Sequence, residues 1–134
     1  MKLLISLLVL CCSSFAMAEV VVIGNPNAPQ LTKKEAQKLF LGKIKKLPGI
    51  GRVQLLSLEE GPTRDYFNVK LLRKREAQLK AYWAKLLFTG KADPPKTVGN
   101  SEVMLATVAN SPNTIGYIDS KDLNDSVKVL YTLK

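Results

Sequence analysis

Val53-Gln54-Leu55-Leu56-Ser57-Leu58-Glu59-Glu60-Gly61-Pro62-Thr63-Arg64-Asp65-Tyr66-Phe67 is the stretch whose reading decides the fold. Its first six residues are a β-rich run. From Pro62 the pattern turns helical, with apolar Phe67, Leu71 and Leu72 at helical spacing. Gly61 to Arg64 therefore sits where a strand becomes a helix N-terminus, and Pro62 suits the first turn. Unpaired N–H groups and the positive end of the helix dipole meet there, which makes the turn a natural anion site. Thr63 adds a hydroxyl, and Arg64 a guanidinium able to grip an oxyanion through two parallel bonds. The plainer alternative stays open: Thr63 or Glu60 caps the helix and Arg64 is a solvated charge.

Upstream, Glu19-Val20-Val21-Val22-Ile23-Gly24 reads as a first strand, β-branched, unbroken and buried on both faces. After the stiff turn Asn25-Pro26-Asn27-Ala28-Pro29, Thr32-Lys33-Lys34-Glu35 matches a capping box, with Ala36, Leu39 and Phe40 on one apolar side of a helix that Gly42 ends. Lys43 to Arg52 reads as a loop whose lysines form a solvated surface. Downstream, a helix over about 74–88 carries Leu79, Tyr82, Trp83, Leu86 and Leu87 on one stripe, so Tyr82 and Trp83 are read as core rather than as a ligand-stacking pair. Thr89 to Pro95 is a breaker-rich loop. Another helix starts near Asn100 or Ser101, with Val103, Met104, Thr107 and Val108 inward, and Ser111-Pro112-Asn113 stops it. Thr114 to Ile118 and Val127 to Tyr131 are the last two strands. Strands alternating with helices predict an α/β domain, a sheet covered by helices. Ligands of such sheets sit at strand ends beside helix N-termini. Gly61, Thr63 and Arg64 are thus the main site candidates, with Asn25, Asn100 and Ser101 on loops expected at the same edge.

The N-terminus reads as a secretory signal over residues 1–18: Lys2, the apolar run Leu3 to Leu10, and Ala16-Met17-Ala18 as a small-x-small cleavage site. A lipobox needs a small residue before the cysteine. Leu10 and Cys11 stand there instead, so cleavage after Ala18 into the periplasm is expected, leaving one domain over 19–134. Both cysteines fall in the signal and there is no histidine. A disulfide, a thiolate nucleophile, a Ser-His-Asp triad and His- or Cys-ligated metal are thereby excluded from the exported part. A carboxylate pair or lysine base would remain, but no spacing of the acids suggests one, so neither an enzyme nor a cofactor is expected. The exported part keeps 19 of the 20 basic residues and all 11 acidic ones, a net charge of +8. That points to anions: small oxyanions, acidic protein faces or an anionic membrane surface. Nucleic acid is not an expected partner of an exported chain, and the leader's apolar run is too short for a membrane anchor.

Four motifs in order resemble the phosphate-binding proteins of ABC transporters. Leu31 through Gly42, ending Phe40-Leu41-Gly42, is similar to their helix closing on a Phe-x-Gly turn. Gly61-Pro62-Thr63-Arg64-Asp65-Tyr66-Phe67 resembles their Ser-Gly-Thr-Arg-x-x-Phe phosphate loop. Tyr82-Trp83 through Phe88-Thr89-Gly90 and Pro94-Pro95 is similar to the Trp and Phe-x-Gly that follow, and Asn113-Thr114-Ile115-Gly116-Tyr117-Ile118 to their Pro-Gly-Ala-Ile-Gly-Tyr-Val strand. The resemblance implies a single lobe of the periplasmic-binding-protein type, a mixed sheet of about four or five strands flanked by about four helices. It also implies phosphate or a similar oxyanion as ligand. Full-length members of that family have two lobes that clamp phosphate between them, and this chain resembles the second lobe only. The resemblance therefore implies a role in phosphate uptake, with an ABC permease, a second lobe-like protein or a homodimer as partner. The loop departs from the pattern in two places: Gly61 stands for a serine hydroxyl, and Pro62 for a glycine N–H. Glu59 and Glu60 add negative charge beside it. The rival expectation is a ligand-free docking module whose basic face meets an acidic protein partner or a membrane surface.

Overall fold

A computed structural model describes residues 19–134; the signal segment read over residues 1–18 lies outside the described residues. The strands are β1 (Val20–Gly24), β2 (Lys46–Leu47), β3 (Gly51–Arg52), β4 (Gln54–Leu58), β5 (Lys96–Val98), β6 (Thr114–Asp119) and β7 (Lys128–Thr132). The helices are α1 (Lys33–Phe40), α2 (Pro62–Phe67), α3 (Glu76–Phe88) and α4 (Ser101–Asn110). Among the described residues these build a five-stranded mixed sheet in the order β5-β4-β6-β1-β7 and a small β2-β3 ladder. This is the expected α/β architecture. The ladder, inside the segment read as a loop, and β5, in the stretch between the breaker-rich loop and the helix near Asn100, are additions. Both are too short to show a period.

Every residue of β1 is buried, because β6 and β7 flank it and helices cover both faces. Its neighbour β6 shows how the layers divide. Successive side chains of a strand face opposite ways. Tyr117 faces Phe40 of α1 and Phe67 of α2, while Gly116 faces α4, where a Cβ would lie 2.3 Å from Met104 Sδ. The glycine lets α4 settle directly on the strand. Inward from α4 come Met104, Leu105 and Val108, whereas Val103, expected inward, is 45% exposed.

The capping box at α1 forms as read: Thr32 Oγ1 accepts from Glu35 N–H and Glu35 Oε1 from Thr32 N–H. Gly42, at φ +73°, ends the helix; a Cβ there would crowd Ala92 and Trp83 at 3.0 and 3.1 Å. The helix beginning at Pro62 ends near Leu72 as expected. Its last turn, Asn68–Leu72, is π-helical, and left-handed Arg73 closes it before α3. Helix α3 is less embedded than its stripe suggests. Leu79 is fully buried, Trp83 is half-buried, and Leu87 is 55% exposed. No helix among the described residues is long and apolar enough to cross a membrane.

Candidate functional site

Strands β4 and β5 run parallel, with Leu58 opposite Val98, so the chain leaves both at one edge. Glu59 N–H donates to Val98 O at 3.2 Å and ties the two exits together. Immediately beyond, Gly61 is the N-cap of α2 and Asn100 that of α4. Two helices thus start from this edge of the sheet, α2 where the strand-to-helix reading of Gly61 to Arg64 placed it.

The candidates meet different fates at this edge. Asn100 Oδ1 accepts from Val103 N–H at 2.9 Å, and Ser101 Oγ donates to Asp122 Oδ2 at 3.0 Å, so both are present but engaged. Neither Thr63 nor Glu60 caps α2, whose N-cap Gly61 makes no side-chain bond. Thr63 lies half-buried in the first turn. The backbone at Gly61 is extended, at φ 163° and ψ 179°, a conformation open to any residue, and a Cβ there would meet nothing nearer than Glu59 O at 3.9 Å. Asn25 is a correction. Strand β6 runs parallel to β4 but β1 runs antiparallel to β6, so β1 ends, and Asn25 begins, at the opposite edge of the sheet. There Asn25 Oδ1 accepts from Asn27 N–H within the turn. Alternation of elements along a sequence does not fix strand direction, and the expectation of a shared edge rested on that alone.

Arg64 is neither solvated nor free. Its Nε donates to Glu76 Oε2 at 3.1 Å, its second terminal nitrogen bonds Glu76 Oε1, and the other donates to Leu58 O at 3.0 Å. Asn68 Nδ2 adds a fourth bond, to Glu76 Oε2 at 3.0 Å. The pair is about four-fifths shielded, its side chains 20% and 23% exposed. Glu76 is the residue the sequence reading missed. It was marked by being the only carboxylate between Asp65 and Asp93 in a strongly basic segment.

Behind the pair, Tyr117 Oη lies 2.9 Å from Ser57 Oγ and accepts from Leu58 N–H at 3.3 Å. Burial pushes the Tyr117 phenol above its ordinary value of 10.0, against the lowering effect of these hydrogen bonds. Burial raises Tyr82 as well, whose hydroxyl bonds Leu41 O. A raised folded value means that the folded state holds the phenolic proton more tightly. This contribution is fully present below the unfolded value and lost as pH rises through the folded one. Guanidinium unfolding should therefore show stability level to about pH 9.5 and falling beyond about pH 10. Tyr117→Phe should flatten part of that fall; an unchanged slope would remove Tyr117 as its source.

This is the fold of one lobe of the phosphate ABC transporter substrate-binding proteins. An ABC-type phosphate transport receptor from Vibrio cholerae superposes with a TM-score of 0.65 at 18% identity, covering 84% of this chain and 45% of the receptor. A Clostridium perfringens protein with bound phosphate, described as a phosphate ABC transporter substrate-binding protein, gives 0.66 at 21% over 84% and 44%. PstS from Borrelia burgdorferi gives 0.61 at 13% over 84% and 46%. The chain thus spans less than half the length of each. No protein-family model and no curated protein sequence matches it.

Proposed function

We propose that the chain is an exported, one-lobed solute-binding-like protein of the periplasm that holds phosphate or a related oxyanion where α2 and α4 begin. Gly61, Thr63 and Arg64 are its ligand groups, with Asn100 and Ser101 beside them. The observation that carries the reading is the start of two helices at the ends of two adjacent parallel strands, an arrangement that brings N–H donors and positive dipole ends to one edge of the sheet. The fold neighbours described as phosphate receptors and the leader pattern of residues 1–18 lend it further support. A single lobe offers an anion one wall only, so a permease, a second lobe-like protein or a second copy would complete the enclosure.

Titration calorimetry of the purified protein with phosphate, at low and then moderate salt, tests this. Binding should survive salt, vanish in Arg64→Ala, and strengthen in Gly61→Ser, which restores a hydroxyl where the backbone leaves room for it. Heat that disappears with modest salt, or that Arg64→Ala leaves intact, would overturn the assignment. A second reading, docking of an acidic partner on a basic face, is favoured by the Arg64–Glu76 pair, which already satisfies the guanidinium.

A further inference from the structure

Beside the edge site, α3 stands off the sheet and leaves a cavity of about 390 Å³. Leu72, Leu79, Trp83, Leu87, Pro94 and Pro95 form its apolar walls, and Arg64 and Glu76 lie in its lining. These two charges satisfy each other, so inside the cavity Arg64 is not free to pull in a small ion. Lys80 is largely exposed to solvent, and the walls call for an apolar group. Two further features fix what brings that group. Outside the cavity Phe88, next in sequence to the wall residue Leu87, is 93% exposed at the end of α3. The segment from Asn68 to Lys96, which supplies most of the walls, carries eight lysines and arginines against the two carboxylates Glu76 and Asp93, a net of +6. Lys80 at the cavity touches Glu60 at 3.6 Å, but both are about 70% exposed and that contact is screened.

We infer that this cavity and the Leu87-Phe88 tip form a docking groove for an acidic, amphipathic segment of a partner protein, its apolar anchors entering beside Trp83 and its carboxylates meeting Lys80 at the cavity and the net positive charge of the Asn68 to Lys96 segment. A small ligand would leave Phe88 bare. A bilayer would take up Phe88 and leave the concave cavity empty. A second copy would set one basic face against another. An acidic helix or strand fills the cavity, covers the tip and matches the charge together. The inference rests on the docking reading and is independent of oxyanion binding.

Trp83 is the only tryptophan of the chain and lines the cavity, so its emission reports occupancy. The probe is a synthetic peptide of about 16 residues with Leu and Phe at i, i+3, i+4 and i+7 and Glu elsewhere. Its counterpart carries Lys for Glu. Vesicles of phosphatidylglycerol with phosphatidylethanolamine, and sedimentation of the protein alone, are run beside them. The Glu peptide should bind, shift Trp83 emission to the blue and weaken with salt. Leu87→Ser with Phe88→Ser, at two exposed positions that leave the fold intact, should raise its Kd about tenfold or more. If the Glu peptide binds, but with Trp83 silent and the double variant unaffected, the groove is wrong while docking stands. No binding, or equal binding of the Lys peptide, overturns both. Vesicle binding or self-association that the double variant abolishes, without peptide binding, reassigns the tip to membrane or to a second copy and overturns the inference.

Discussion

Phe67→Ala should cost about 3–5 kcal/mol of folding stability, the range for emptying a fully buried phenylalanine site. Phe67 is 2% exposed. Its ring stacks on Tyr117 with centroids 3.7 Å apart and planes 5° from parallel, and meets Phe40 edge-on at 4.9 Å and 75°. These three rings come from α2, β6 and α1, so the loss falls on the contacts that fasten both helices to the sheet. A domain of this size is held by roughly 5–15 kcal/mol, so the variant should lose a large share of that and melt roughly 10–20 °C lower. Phe67→Leu keeps most of the volume and should cost about 1–2 kcal/mol. Guanidinium and thermal unfolding followed by circular dichroism measure both. A loss under about 1 kcal/mol for Phe67→Ala would mean that α2 does not anchor on the Phe40–Tyr117 surface.

How much of this was legible in the sequence depended on how local the signal was. The capping box at Thr32 and Glu35 spans four residues and came out as read. So did the unbroken β-branched run Val20 to Ile23 as a strand buried on both faces, and Pro62 as the start of a helix. The two Phe-x-Gly turns mark the other extreme. Phe40 in Phe40-Leu41-Gly42 is 1% exposed and Phe88 in Phe88-Thr89-Gly90 is 93% exposed, because α1 lies flat against the sheet and the end of α3 projects past it. The local pattern is the same in both; what differs is which neighbour arrives, and no window of sequence holds that.

The candidate site divided in the same way. The strand-turn-helix at Gly61 was readable because it is contiguous. The direction of β1 was not, since helix and strand patterns are blind to parallel against antiparallel pairing, and Asn25 went to the far edge for that reason. Arg64 was singled out for its position in a motif, whereas its state is set by Glu76, twelve residues on and across a left-handed turn at Arg73.

That pairing makes Glu76→Gln the decisive substitution at the site. In the native protein the Glu76 carboxylate occupies two nitrogens of the Arg64 guanidinium and Leu58 O takes another, so an incoming oxyanion meets a cation already neutralised. The amide keeps a hydrogen-bonding oxygen for Arg64 or Asn68 and removes the charge. Because the pair is partly exposed, stability should fall by about 1–2 kcal/mol, well short of the 3–5 expected for breaking a fully buried pair. Affinity for phosphate should move the other way. A unit negative charge about 5 Å from a bound anion opposes it by about 3 kcal/mol at an effective dielectric of 20. Gln also orients Arg64 less firmly, which takes back part of that gain, so an increase of about tenfold or more is expected in calorimetry at low salt. Thr63→Val in the Glu76→Gln background should reverse part of the gain, since the hydroxyl is lost and the shape kept. Weaker phosphate binding in Glu76→Gln than in the native protein would mean that Glu76 holds Arg64 in its binding geometry rather than competing for it. No phosphate binding in either protein would leave the Arg64–Glu76 pair with one role, fastening α3 to α2 beneath the groove that Trp83, Leu87 and Phe88 line.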